Sequence, residues 1–299
     1  MTDFTFVTYS GMPDLDADDR LAVDVLTQRG HEVATAVWDD PAVDWSAAGT
    51  VIIRSTWDYN LKHEAFLAWA DSVSRVAPLF NPLELVRWNI HKSYLRDLAS
   101  KGVPTVPTLW LGANSRANLR TTLGGPGWLE AVIKPAIGLS TYGVRRVSGS
   151  AEDQEHLDGL LLKHDVMVQP FMKSVQDRGE RSLMFINGTY SHAARKTAFQ
   201  PLLPAGEAGE TPTEATGAEI AVAVKAMQSL PTPALYARVD LVLGTAGEPL
   251  VIECELIEPT LFLSMHPRAA QRFADAVEAL TDLKVRCHNQ VRCYNQAAG

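Results

Sequence analysis

The sequence predicts an α/β protein, and three stretches carry that expectation. Near the start, apolar strand-like runs alternate with a helical pattern, the rhythm of an open parallel α/β unit. Further on, Leu129-Glu-Ala-Val-Ile-Lys134-Pro135 is an apolar run that ends in a lysine and a Gly/Ser/Thr loop. Last, residues 236–258 place Val, Leu and Ile runs on either side of a Gly/Pro turn, the pattern of two antiparallel strands.

At 299 residues the chain has room for about two domains and a sizeable core. Its 46% hydrophobic and 21% charged content is that of a soluble globular protein. The net charge of −8, with no Lys/Arg cluster to offset it, argues against nucleic acid and anionic membranes as partners. An anionic ligand would need a local basic pocket. Three cysteines are too few for a disulfide framework, and the spacing of Cys287 and Cys293 is not that of a zinc knuckle, so a cytoplasmic location is expected. The first residues lack the basic start and long apolar run of a signal peptide. No run approaches the roughly 20 apolar residues of a membrane span. Oligomeric state stays open, a homo-oligomer included.

In chain order, residues 4–9 read as a strand and 16–30 as a helix with an acidic start and a Gly stop; 31–38 and 50–54 are further strands. Ligands of such sheets sit beyond the carboxyl ends of the strands, which puts Asp14 and the Arg54-Ser-Thr-Trp-Asp58-Tyr-Asn segment at the rim. That segment reads equally well as a Trp/Tyr-rich turn packed on the next helix, over 62–77. Within it Arg54 is the better ligand candidate, because an arginine after a buried strand needs an anionic partner. Residues 78–82 close the unit. Residues 88–101 read as one helix, on which Lys92 alone would be a surface lysine.

Lys134, at the end of a strand, should likewise have an anionic partner if that strand is buried. The following loop, with Gly138, Ser140, Thr141 and Gly143, offers N–H groups and hydroxyls able to cradle phosphate. It is not a Walker loop, and glycines in a plain hairpin turn would look similar. The strand over 165–172 breaks at Pro170, where free backbone groups could meet an adenine edge. Asn187-Gly188 between two strand-like runs signals a hairpin, with Glu180 opening one strand and Arg195 and Lys196 closing the other. Residues 219–230 and 267–283 read as helices, and the tail from Lys284 as loosely structured.

In the final hairpin, alternation puts Arg238 and Asp240 on one face with Glu253 and Glu255, and turns Val239, Leu241, Leu243, Ile252 and Cys254 to the core. Three buried carboxylates need cations to compensate them. A solvated face would be the bland explanation, but apolar residues continue on both sides. Hard oxygen ligands on neighbouring strands suit Mg2+, which bridges to phosphate oxygens. The hairpin therefore predicts a magnesium–nucleotide site.

The order of these features resembles the ATP-grasp superfamily of carboxylate–amine ligases, which includes D-alanine–D-alanine ligase and glutathione synthetase. The resemblance covers roughly residues 88–265. Its R-x-D motif is Arg238-Val-Asp240, followed by Glu253-Cys-Glu255 where the family has E-x-N. The resemblance implies an α+β ATP-grasp fold: an N-terminal open parallel α/β domain over 1–87, then two α+β subdomains, 88–168 and 169–299, clasping ATP between antiparallel sheets. It implies that Lys92 and Lys134 hold the nucleotide phosphates, that residues Gln169, Pro170, Phe171 and Met172 read adenine, and that Glu180 binds ribose. Lys196 and Arg238 would hold the transferred phosphate, and the Gly138–Gly143 loop would close over the triphosphate. Asp240, Glu253 and Glu255 would hold two Mg2+ ions, with Glu258 as the alternative ligand because Glu255 replaces an asparagine.

The Arg54-Ser-Thr-Trp-Asp-Tyr, Arg87-Trp-Asn, Tyr236-Ala-Arg-Val-Asp and Glu255-Leu-Ile-Glu-Pro-Thr strings resemble a bacterial ATP-grasp subgroup that includes the O-ureido-serine cyclo-ligase of D-cycloserine biosynthesis. This implies a small amino-acid-like substrate whose carboxylate is phosphorylated by ATP and then attacked by its own nitrogen. Asp14, Arg54 and Asp58 are the expected substrate contacts, and Asp58 and His266 are alternatives for a general base. An intermolecular amide ligase is the rival enzyme, and a nucleotide-binding regulator the rival without chemistry.

Overall fold

The computed structural model describes residues 2–139, 142–197 and 209–280. Its elements form three sheets. The first contains β1 (Phe4–Thr8), β2 (Val33–Val37), β3 (Thr50–Ser55) and β4 (Leu79–Phe80), in the order β2-β1-β3-β4 and all parallel. β1 and β3 are buried at every position, as central parallel strands covered on both faces must be. Helix α1 (Ala17–Gln28) starts at Asp16, whose side chain accepts from the Asp18 amide, and α2 (His63–Ser74) packs on the other side.

The predicted helix over 88–101 is two helices, α3 (Leu83–Asn89) and α4 (Tyr94–Ser100). In the break between them the Lys92 amide donates to the Ala136 carbonyl at 2.8 Å. A contact distant in sequence thus interrupts a helical pattern that nothing local stops.

The middle sheet is antiparallel and contains β5 (Leu109–Leu111), β6 (Ala131–Pro135), β7 (Arg145–Val147) and β8 (Val166–Pro170), in the order β5-β8-β6-β7. The boundary read at 168 falls inside β8. Helices α5 (Leu119–Gly124) and α6 (Ala151–Leu161) cover one face, packing Leu119, Leu123, Leu157 and Leu161 on Ala131, Ile133, Val166 and Val168. Alternation along β6 turns Val132 and Lys134 to the opposite face.

After α7 (Ser174–Arg178), the third sheet assembles β9 (Glu180–Ile186), β10 (Thr189–Lys196), β11 (Glu210–Thr213), β12 (Tyr236–Leu243) and β13 (Pro249–Glu255), antiparallel in the order β11-β10-β9-β12-β13. Asn187 and Gly188 both take positive φ in the β9–β10 turn, as the Asn-Gly signal requires. One face of the sheet packs Leu183, Phe185, Val239, Leu241 and Cys254 with α8 (Gly217–Gln228). On the other, Met184, Ala194 and Tyr236 meet α1 and a last helix, α9, over residues 269–280.

The β12–β13 register carries Arg238 opposite Glu255 and Asp240 opposite Glu253, then jumps to Leu241 opposite Val251. This bulge leaves Ile252 as the extra residue. Val251 takes the core position expected for Ile252, and Ile252 lines the cleft described below.

Asn81 fastens the first sheet to the third. Its amide nitrogen donates to the carbonyls of Tyr236 at 2.8 Å and Leu256 at 2.7 Å, and its oxygen accepts from the Leu235 amide at 2.7 Å. The stretch 78–82 that closes the first unit is thus held to the third sheet through Asn81.

Candidate active site

A cleft of about 760 Å³ opens where the three sheets meet. Four cationic side chains reach it from four elements. Lys92 comes from the α3–α4 break, Lys134 from β6, Lys196 from the end of β10 and Arg238 from β12. The Lys92 ammonium donates to the Gly138 carbonyl at 2.7 Å and lies 2.9 Å from Glu253 Oε1. Lys134 Nζ is 3.8 Å from Glu253 Oε2. Lys196 donates to Asp240 Oδ2 at 2.8 Å and lies 3.5 Å from Glu180. Arg238 donates through Nε to Asp240 Oδ1 at 3.0 Å and through Nη2 to Glu255, with its guanidinium 5.9 Å from the Phe262 ring centre.

These pairings set the charge states. Burial favours the neutral Asp240 carboxyl, but Arg238 and Lys196 outweigh it and hold Asp240 well below the usual carboxylate range. Burial likewise opposes Lys92 and Lys134 at Glu253, and the lysines bring it down to about 2. Burial and then Arg238 pull the Lys196 ammonium down, yet Asp240 and Glu180 leave it above its ordinary value. Glu258 is different. Burial, then the nearby Glu255, push its carboxyl up to about 8 against Lys92 and the Tyr59 hydroxyl.

Among the described residues no three acids, histidines or cysteines converge at metal-ligating spacing, because each carboxylate of the hairpin is drawn to a lysine or arginine. The donor chemistry nevertheless fits magnesium: hard carboxylate oxygens share one face, and ammonium groups stand beside them as exchangeable positive charge.

Beside the charged face the cleft is apolar. Phe171, Met172, Val175 and Ile252 line it, and Val242 packs with Met172 and Ile252 beneath. Such a surface suits a base ring. The backbone break at Pro170 offers less than the sequence indicated: the Phe171 amide already donates to Glu130 at 3.0 Å, and the Gln169 side chain donates to Thr108 at 3.0 Å. Arg146 stacks 3.8 Å over the Phe171 ring and holds the segment from outside.

Glu180 and Gly138 lie at the cleft. Gly143 sits at φ +68° against Pro135 and Leu160, while Ser140 and Thr141 lie outside the described residues. The expected substrate contacts do not reach it. Arg54 is 1% exposed and spends its charge inside the protein, donating to Asp19 Oδ1 at 2.8 Å and to the Pro259 carbonyl at 2.6 Å. Asp58 accepts from the Trp38 indole at 2.8 Å and pairs with Lys62, and Asp14 is exposed away from the cleft. His266 packs on His192, with ring centres 5.6 Å apart. Neither candidate base lines the cleft. Trp57 and Tyr59, in the same segment as Arg54, do line it, as do Asn89 and Tyr94. Asn89 and Tyr94 bond the β13 backbone at Cys254, which is their structural role.

The chain is similar to several known proteins. Residues 4–81 match the family model described as the N-terminal domain of D-cycloserine synthetase DcsG. The cycloserine biosynthesis protein DcsG of Streptomyces lavendulae is 38% identical over 259 residues, covering 80% of this chain and 86% of that protein. The crystal structure of D-cycloserine synthetase DcsG superposes with a TM-score of 0.85 at 35% identity, covering 93% of this chain and 99% of the other. A RimK domain ATP-grasp protein from Sphaerobacter thermophilus, at 16% identity and TM-score 0.65 over 91% of this chain and 98% of its own, shares the fold. At 38% identity over four-fifths of its length, with lysines and carboxylates gathered in one cleft, the chain belongs to the DcsG family of ATP-grasp enzymes and is an ATP-dependent ligase.

Proposed function

We propose that the enzyme closes O-ureido-D-serine to D-cycloserine at the expense of ATP. The observation that carries this reading is the convergence of Lys92, Lys134, Lys196 and Arg238 on the acidic face of the β12–β13 hairpin. The name of the 38% identical relative supports the choice of product. In this reading a substrate carboxylate oxygen attacks the γ-phosphorus of ATP, giving an acyl phosphate and ADP. The ureido nitrogen next to oxygen then attacks the acyl carbon, the five-membered ring closes and phosphate leaves. The carbamoyl group departs to water.

Each residue has a task that its position allows. Lys92 and Lys134 leave Glu253 for the nucleotide phosphates, and Lys196 and Arg238 balance charge on the transferred phosphoryl group. Glu180 meets the ribose, and the Gln169–Met172 segment with Val175 and Ile252 encloses the base. Asp240, Glu253 and Glu255 would hold magnesium, which neutralises phosphate charge and fixes the triphosphate for in-line transfer. A closed cleft that holds both ends of one molecule converts ring closure into a positioning problem.

The test is incubation of the full chain with ATP, Mg2+ and O-ureido-D-serine, following ADP and the cyclic product. Stoichiometric ADP and D-cycloserine from that single organic substrate supports the reading. ADP release only when a separate amine is added would instead make it an intermolecular ligase.

A further inference from the structure

Two acids lining the cleft have no cation at ion-pair distance among the described residues, Glu210 and Glu258, and of these Glu258 is the buried one. Glu253, Asp240, Glu180 and Glu255 each face a lysine or arginine, whereas Glu258 has no cation at ion-pair distance among the described residues. It is 7% exposed and lines the cleft. The Tyr59 hydroxyl, which burial keeps protonated, lines the cleft with it.

The backbone that presents it is pinned at every residue from 256 to 260. The Leu256 amide donates to Asn89 at 2.9 Å, and the Ile257 carbonyl accepts from the Tyr236 hydroxyl at 2.8 Å. The Glu258 carbonyl accepts from the Trp57 indole at 3.1 Å. Pro259 and Thr260 carbonyls accept from Arg54 and Arg238. So much fixing of one short segment anchors the backbone from which the buried Glu258 carboxyl reaches into the cleft, as a positioned binding group requires. Trp57 and Tyr59, both at the cleft wall, add aromatic surface beside it. A carboxylate flanked by aromatic rings favours an organic ammonium group.

We propose that Glu258, with Trp57 and Tyr59, forms the subsite for the α-ammonium group of the substrate. This rests on the reading that the cleft takes an amino acid. The ammonium supplies the cation that the protein withholds from Glu258, so an amino acid binds well and its desamino counterpart poorly. Because the ammonium and the carboxylate share the α-carbon, an ammonium held at Glu258 keeps the carboxylate beside it, within the cleft that Arg238 also lines.

Glu258→Gln tests this in the full-length protein. KM for O-ureido-D-serine rises about 100-fold, the effect of breaking a desolvated charge pair, while the affinity for Mg–ATP stays unaltered. With the desamino counterpart, ureidooxypropanoate, wild type and Glu258→Gln perform alike. Tyr59→Phe shows the same substrate-selective loss to a smaller degree. Equal loss with both compounds, or weakened Mg–ATP binding, would overturn the assignment and make Glu258 a structural or metal-side residue. If wild type ignores O-ureido-D-serine but binds another amino acid, and Glu258→Gln weakens that one, the cyclo-ligase reading fails and the subsite stands. If wild type, loaded with a non-hydrolysable Mg–ATP analogue, binds no amino acid more tightly than its desamino form by calorimetry, the subsite falls.

Discussion

Lys92 Nζ lies 2.9 Å from Glu253 Oε1 and 2.7 Å from the Gly138 carbonyl, so one ammonium ties the acid on β13 to the loop after β6. Without nucleotide the lysine satisfies a half-buried carboxylate. In the proposed reading the same lysine turns to phosphate, and the carboxylate to metal, when nucleotide binds. Lys134→Ala and Glu253→Ala should therefore abolish ATP-dependent turnover while leaving folded protein by circular dichroism. Lys92→Met should raise KM for ATP roughly 10- to 100-fold, the worth of a charge-assisted contact. Near wild-type turnover in either alanine variant would remove the site assignment.

Arg54 gives the opposite prediction. Its guanidinium donates to Asp19 and lies 4.5 Å from the centre of the Tyr236 ring, with no route to the cleft. Arg54→Met strands Asp19, which is 3% exposed, without its cation. Breaking a buried pair in this way costs about 3–5 kcal/mol, which urea denaturation would register. Any enzyme that remains folded should keep its KM for ATP, because the residues proposed for the nucleotide are untouched.

Arg54 also shows what the sequence could reveal. Its need for an anion follows from its place at the end of an apolar strand, but the partner stands 35 positions earlier, in a helix turn whose acids look like ordinary N-terminal ones. The charged face of the β12–β13 hairpin was legible because period-two alternation over Arg238, Asp240, Glu253 and Glu255 is a local property. Ile252 was not, since a bulge depends on pairing. The helix break at Lys92 carries no Gly or Pro and arises from a bond to Ala136. In contrast, α6 had a visible signal: Ser150 and Asp153 form a capping box just before an apolar pattern.

Gly179 controls Lys196 through backbone contact. It sits at φ +72°, and a Cβ there would stand 2.4 Å from the Lys196 carbonyl oxygen. Gly179→Ala must therefore strain its own backbone and push β10 away from β9 where Lys196 meets Glu180. The expected result is a loss of about 1–3 kcal/mol in stability together with weaker ATP binding, measured by thermal shift with and without Mg–ATP. A variant with unchanged nucleotide response would show that the position of Lys196 does not depend on this turn.

Glu258 makes the pH behaviour of the nucleotide-free protein predictable. Its folded carboxyl titrates at about 8, against an ordinary value of 4.5, because of burial and then Glu255. Below pH 4.5 folded and unfolded chains both hold the proton, and its full stabilising contribution is present. Between about 4.5 and 8 the folded chain keeps a proton that the unfolded chain has released, so stability falls as pH rises, by at most about 1.4 kcal/mol per pH unit for this group. Glu253 works in the other direction and in another window, from 4.5 down to about 2, where loss of its carboxylate weakens the Lys92 and Lys134 pairing. The two groups are thus separable. Urea denaturation of wild type and Glu258→Gln from about pH 5 to 9 should give a difference curve that favours the variant progressively towards high pH. A difference that stays constant over that range would mean that Glu258 is ionised in the folded protein throughout, and that some cation already answers it.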